Sequence, residues 1–174
     1  MRSTRVLLLA AAILAAGAGL VAYQIPIADR SREDPATELM HLRLPDTSGK
    51  DQNLAQWRDQ VLIVNFWATW CEPCREEIPA LVRAHAKYAS NGVQIVGISL
   101  DSVDKVRQFA IDYRIGYPLV IGSIDVIDLT RKLGNKAGGL PYTVVMDRSG
   151  KVVMTHIGGV SEAQLESAIK LARG

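Results

Sequence analysis

The sequence predicts an α/β fold in which helices flank a mixed central sheet, with a short hairpin on its N-terminal side. Three observations predict it. Two nearly continuous apolar runs rich in β-branched residues, Val61 to Trp67 and Val93 to Ile98, read as strands buried on both faces. The segment between them has helical periodicity, with Ile78, Leu81, Val82 and His85 on one face, and strand, helix and strand in that order imply a parallel crossover. Farther on, Tyr142 to Met146 and Lys151 to His156 are joined by Asp147-Arg148-Ser149-Gly150, four turn-forming residues that predict an antiparallel pair.

Taken in order, the chain opens with Arg2 and Arg5 and then runs without a charge from Val6 to Ala22. A positive flank followed by an apolar run is an export signal, and its positive end is expected to stay on the inner side of the membrane while the body is exported. Its length is near the lower limit for spanning a bilayer, about 17 residues, and favours retention as a single anchor over removal as a signal peptide at Ala16-Gly17-Ala18. Residues 23–39 mix Pro, Ser and both charge signs without periodicity and read as a linker to a domain over 40–174. Leu42 to Leu44 and Lys50 to Leu54 flank the turn Pro45-Asp46-Thr47-Ser48-Gly49, which predicts the hairpin.

After the first parallel pair, Val106, Phe109, Ala110 and Tyr113 have helical spacing within Ser102 to Tyr113. Tyr117 to Ile121 reads as a strand, and about Asp125 to Leu133 as a short helix that Gly134 can end in a left-handed conformation. The last helix starts at Ser161 with Gln164 three residues on, a capping box, and turns Leu165, Ala168, Ile169 and Ala172 inward.

A chain of 174 residues suits one such domain with a short appendage. The net charge of +2 comes from Arg2 and Arg5 alone, because the other 18 Lys and Arg balance 18 Asp and Glu. The domain is therefore formally neutral and carries no electrostatic footprint for nucleic acid.

The chain has two cysteines, in Cys71-Glu72-Pro73-Cys74, directly after a buried strand and at the start of a helix. Residues three apart there lie on one side, near the Cα separation of roughly 5.5 Å that a disulfide prefers. Cys71 faces the unpaired N–H groups and positive dipole end of the helix, which favour thiolate over thiol, so it is the candidate nucleophile. Cys74, one turn in, is the candidate resolving cysteine. Pro73 fits the first helical turn, where the N–H it lacks has no partner. Glu72 places a carboxylate beside the thiolate, which weakens stabilisation of the reduced form and pushes the pair toward the reducing end.

Other readings of the pair stay open. A structural disulfide closing so small a loop constrains the unfolded chain little. A zinc site needs about four ligands, and one CxxC with scattered His41, His85 and His156 is a poor source. Copper carriage through Cys71, Cys74 and His156 suits the softness of those ligands. A thiol oxidase would share every residue but needs a stabilised reduced state. For disulfide exchange no cofactor is expected, and no GxGxxG follows any strand.

The run Asn65-Phe66-Trp67-Ala68-Thr69-Trp70-Cys71-Glu72-Pro73-Cys74-Arg75-Glu76-Glu77-Ile78-Pro79 resembles the active-site segment of the TlpA/ResA branch of the thioredoxin superfamily. Gly139-Leu140-Pro141-Tyr142-Thr143 resembles that family's cis-proline loop, and the resemblance covers about 40–174. It implies a thioredoxin-like fold with a central insertion, here about Ser102 to Leu133, and extracytoplasmic reduction of disulfides in partner proteins, with cytochrome c biogenesis among the uses. Electrons would come from a membrane thiol-transfer protein, and a monomer is expected. The resemblance makes Pro141 the cis-proline beside Cys71 and Glu77 the acidic residue that tunes the thiols. It places Trp70, Glu72, Pro73 and Leu140 where the partner binds. Asn65 stands where cytoplasmic thioredoxins carry a buried Asp, and since Asn cannot accept a proton, acid–base work would fall to Glu77, Glu72 or water.

Overall fold

The computed structural model describes residues 34–174, so the export segment and residues 23–33 lie outside the described residues. Among the described residues no helix is long and apolar enough to cross a membrane. The element order is α1 (Pro35–Met40), β1 (Arg43–Pro45), β2 (Asp51–Asn53), β3 (Val61–Trp67), α2 (Glu72–Tyr88), β4 (Val93–Ser99), α3 (Val103–Asp112), β5 (Leu119–Ile121), α4 (Asp125–Lys132), β6 (Tyr142–Met146), β7 (Val152–Ile157) and α5 (Glu162–Arg173).

The main sheet has five strands in the order β5-β4-β3-β6-β7. β3 pairs parallel with β4 and antiparallel with β6, which places it at the centre, and all seven of its residues are buried. That is the environment its unbroken apolar run demands. Alternation along β3 divides the core into two layers. Val61, Ile63 and Trp67 pack with Ile78 and Leu81 of α2, Phe109 of α3 and Leu165 of α5, while Leu62, Val64 and Phe66 pack with Leu39 of α1 and Val126 and Leu129 of α4. The segment Ser102 to Leu133, read as an insertion, builds α3, the edge strand β5 and α4.

One expectation is corrected. Residues 35–39, assigned to a linker, form most of α1, capped by the Asp34 side chain and opened by Pro35, and Leu39 has no exposed surface. At six residues the helix is too short to show a period, but its Leu and Met side chains cover the sheet beside α4. The hairpin β1–β2 forms as expected, with Pro45 opposite Asp51. Its turn is repeated between β6 and β7: Asp46 and Asp147 each accept from the backbone N–H and hydroxyl of the Ser two residues on and from the N–H of the Lys four residues on. Both turns end in a glycine of positive φ, Gly49 at 87° and Gly150 at 83°, where a side chain would be strained. Gly134 follows α4 at φ 113°, and the Ser161–Gln164 capping box is fully formed.

Gly97 of β4 lies opposite Asn65 of β3, and a Cβ there would stand 2.6 Å from Leu119 Cδ2 and 2.9 Å from Trp67 Nε1. Gly97→Ala is therefore expected to destabilise the domain by about 1–3 kcal/mol through overpacking, read from the urea midpoint at unchanged slope; a neutral midpoint would show that Trp67 and Leu119 yield freely.

Candidate active site

The site is built where β3 ends. The chain leaves the sheet at Trp67, passes Ala68-Thr69-Trp70, and enters α2 with Cys71 as its N-cap, whose Sγ accepts the N–H of Cys74 at 3.3 Å. The Thr69 hydroxyl donates to Asp101, and Asp101 also accepts the Ser102 N–H at 2.7 Å, which ties the loop before Trp70 to the start of α3. Cys71 and Cys74 form a disulfide with Cα atoms 5.2 Å apart, the separation that their spacing at a helix start predicts. The two sulfurs are not equivalent. Cys71 keeps 6% of its surface exposed and Cys74 none, so an attacking thiolate reaches Cys71 only.

Behind the disulfide lies a carboxylate. Glu77 is buried at 3% exposure, one turn beyond Cys74 on the same helix face. Its Oε1 accepts from Asn65 Nδ2 at 2.7 Å and its Oε2 from the Val160 N–H at 2.8 Å, so strand, helix and the loop before α5 meet on one side chain. Burial pushes the Glu77 carboxyl up to about 7, against the pull of the hydrogen bonds from Val160 and Asn65. Asn65 also donates to Thr143 Oγ1 at 3.0 Å, its register partner on β6. On the same face Asn65 Oδ1, Trp67 Nε1 and the Tyr117 hydroxyl are buried without a hydrogen-bond partner.

The second wall of the site comes from the loop before β6. The Leu140–Pro141 peptide bond is cis, and the Pro141 carbonyl accepts the Gly158 N–H at 2.9 Å. Asn135 grips the loop at Gly139, donating to its carbonyl at 2.8 Å and accepting its N–H at 3.1 Å. Leu140, Trp70, Cys71 and Pro73 line one open groove of about 630 Å³, and Trp70 is 67% exposed. The structure thus brings Trp70, Cys71, Pro73 and Leu140 to one groove, with Cys74 and Glu77 buried behind it and the cis-proline directly after Leu140. Glu72 is exposed and does not line the groove.

Sequence reasoning missed Val160, which acts through its backbone, and Ile124 at the N-cap of α4 with Ile127 and Arg131 within it, which line the groove. The amphipathic pattern that located α4 marks its buried face but not what its exposed edge adjoins. The copper reading is corrected. Among the described residues no group of three or more His, Cys, Asp or Glu is placed to hold a metal, so Cys71, Cys74 and His156 do not converge as a ligand set; His156 pairs with Thr143 on the edge strand β7. His85 is half-buried against Tyr117 and takes no part.

With one sulfur reachable and the other behind it, this junction can exchange its disulfide with a partner's and close again, the chemistry of a thiol–disulfide oxidoreductase on a thioredoxin-like fold. The sequence model of the AhpC/TSA family matches residues 35–155. Thiol-disulfide oxidoreductase ResA of Bacillus anthracis is 31% identical over 159 residues, 91% of this chain and 90% of that protein, and the Bacillus subtilis protein of the same name is 26% identical over 166 residues, 92% and 88%. Among solved structures, a thiol:disulfide interchange protein of the thioredoxin family from Chlorobium tepidum superposes with a TM-score of 0.70 at 32% identity, covering 76% of this chain and 93% of that one. A thioredoxin-related protein from Neisseria meningitidis gives 0.67 at 35%, covering 74% and 97%. The chain belongs to the AhpC/TSA family, as a thioredoxin-like thiol–disulfide oxidoreductase.

The raised Glu77 value sets the sign of a pH effect. As pH rises from 4.5, the ordinary value, to about 7, the folded protein keeps a proton that the unfolded chain has released, so stability falls across that window. Glu77→Gln keeps the shape without the charge, and an amide flip of Asn65 can satisfy it. The loss of unfolding free energy between about pH 5 and about pH 8 should be smaller in the variant by roughly 2–3 kcal/mol. Equal losses, measured by urea titration, would show that Glu77 ionises as a free carboxylate does.

Proposed function

We propose that this chain is an extracytoplasmic oxidoreductase, held at the membrane by its N-terminal apolar segment, that works in the reducing direction on disulfides of partner proteins. The observation that carries the reading is the asymmetry of the pair, Cys71 at the surface of the groove and Cys74 fully buried. The reduced Cys71 thiolate attacks one sulfur of a partner disulfide, forming an intermolecular S–S bond and releasing the other partner sulfur as thiolate. Cys74 then attacks Cys71 Sγ, the partner leaves with both of its sulfurs reduced, and the protein is left as the Cys71–Cys74 disulfide seen here.

Glu77 fits the second step. The resolving thiol must lose its proton before it attacks, and a buried carboxyl titrating near neutrality, on the same helix face, can take that proton and return it on reduction. Trp70, Pro73 and Leu140 would contact the partner. Glu72, exposed beside Cys71, opposes stabilisation of the thiolate and supports the reducing direction. Two electrons per cycle must be restored by another thiol protein, and a membrane thiol-transfer protein suits an anchored monomer whose positive N-terminal flank stays inside. Partners in cytochrome c biogenesis, where paired thiols must be reduced before haem attachment, fit this placement.

Cys74→Ser should accumulate mixed disulfides through Cys71 that vanish on reduction, seen as higher-mass bands on non-reducing gels, and Cys71→Ser should accumulate none. Failure of Cys74→Ser to trap any partner would count against the mechanism. The direction is checked by equilibrating the full chain with dithiothreitol or glutathione buffers and trapping thiols. A potential well below about −200 mV is expected, and one near about −120 mV would make the protein an oxidant.

A further inference from the structure

The groove that holds Cys71 has a chemical character beyond its sulfur. Of the five large apolar side chains exposed among the described residues, Trp70 and Ile124 line it, and a third, Ile157, places Cδ1 3.4 Å from the Cβ position of Gly139, another lining residue. Single exposed apolar side chains are ordinary, but three of five around one groove mark a contact surface. Leu100, Ile127 and Leu140 complete its apolar lining.

Arg131 is the one charged residue in that lining. Its Nη1 donates to Asp128 Oδ1 at 2.6 Å on the exposed side of α4. Its Nη2 and Nε stand 3.2 and 3.4 Å from where a Cβ of Gly138 would be, so the guanidinium lies over the backbone leading to the cis-proline. Gly138, at φ 65° and with Ile127 Cγ2 2.9 Å from the same point, leaves room for no side chain under it. A guanidinium has five N–H donors in a fixed fork, and Asp128 takes one of them.

We propose that α4 selects the partner: the groove takes a segment with a bulky apolar side chain next to its reactive cysteine, held among Trp70, Ile124 and Ile127, and an acidic side chain farther along that pairs with Arg131. This rests on the disulfide-exchange reading above. The mixed disulfide bonds a partner sulfur directly to Cys71 Sγ, so the residues flanking that sulfur must enter the groove Cys71 lines. Apolar walls gain by covering an apolar side chain, and a guanidinium presented at the edge of a partly dry groove discriminates carboxylate from ammonium. Arg131 and Ile124 are thus specificity residues, acting on which partner is attacked rather than on the sulfur chemistry.

The test uses the full chain, reduced with dithiothreitol and freed of it, against synthetic peptides carrying one internal disulfide. One peptide places Leu beside the cysteine and Asp beyond it, a second replaces Asp with Lys, and a third replaces Leu with Gly. Each second-order rate is divided by the same variant's rate with hydroxyethyl disulfide, which carries no charge. In every reaction two electrons pass from the Cys71–Cys74 dithiol to the added disulfide and two protons end on its thiols. The Asp peptide should be reduced about tenfold faster than the Lys peptide at low salt, and the preference should shrink as salt rises. Arg131→Glu should reverse the preference, and Ile124→Ser should erase the advantage of Leu over Gly while leaving the Asp-to-Lys ratio in place. Equal normalised rates for the Asp and Lys peptides, in both the parent protein and Arg131→Glu, would overturn the inference while leaving disulfide exchange intact. No reaction of the parent protein with hydroxyethyl disulfide would overturn the exchange reading and this one with it.

Discussion

A strand that is buried on both faces and hydrogen-bonded along both edges has no free direction to move, and β3 is that strand. Its position decides the rest. The seven side chains alternate between two core layers, one closed by α2, α3 and α5 and the other by α1 and α4, so the helices pack where that alternation directs them. Because β3 cannot shift, the turn that follows it delivers Cys71 to a fixed point at the sheet end. The disulfide is short-range in sequence but its placement depends on the whole sheet.

The same constraint creates an electrostatic problem that the structure turns to use. Asn65 is the one amide side chain in β3, and with no access to water any partner for it must lie inside. Its amide nitrogen finds Glu77 and Thr143, and Glu77 in turn takes the Val160 N–H. Each bond joins a different element, so the first turns of α2 are locked to β3, β6 and the loop before α5. A carboxylate in that place is poorly solvated, and burial outweighs its two hydrogen bonds, which leaves a carboxyl titrating near neutral pH behind the disulfide. The same low solvation underlies the proposed exchange of a proton between Glu77 and Cys74.

What was readable in advance was carried by local rules. The Ser161–Gln164 capping box, the two Asp-x-Ser-Gly-Lys turns and the helix start at Cys71 are set by neighbours within about four residues, and they formed as expected. The helix α1 was missed because one and a half turns cannot display a period, although Asp34 followed by Pro35 was a usable N-terminal signal. β5 begins at Leu119 rather than Tyr117 because Pro118 intervenes, and proline does not donate to a ladder. A helix position by itself does not say whether the Glu77 carboxylate is solvated or buried; the packing of α5 and the Gly158–Gly159 loop over α2 puts it inside.

The sequence by itself determined the alternating α/β order, the reactive pair and which of its members leads the helix, since periodicity and capping act over a few bonds. Only the tertiary structure decided that Cys74 is unreachable, that Glu77 titrates near neutrality and that Trp70, Leu140 and Arg131 share one groove. Those residues lie up to 70 positions apart, from Trp70 to Leu140. Solvent exclusion and groove shape arise from surfaces that meet only when the sheet assembles, and no local pattern encodes which distant surface will cover a given side chain.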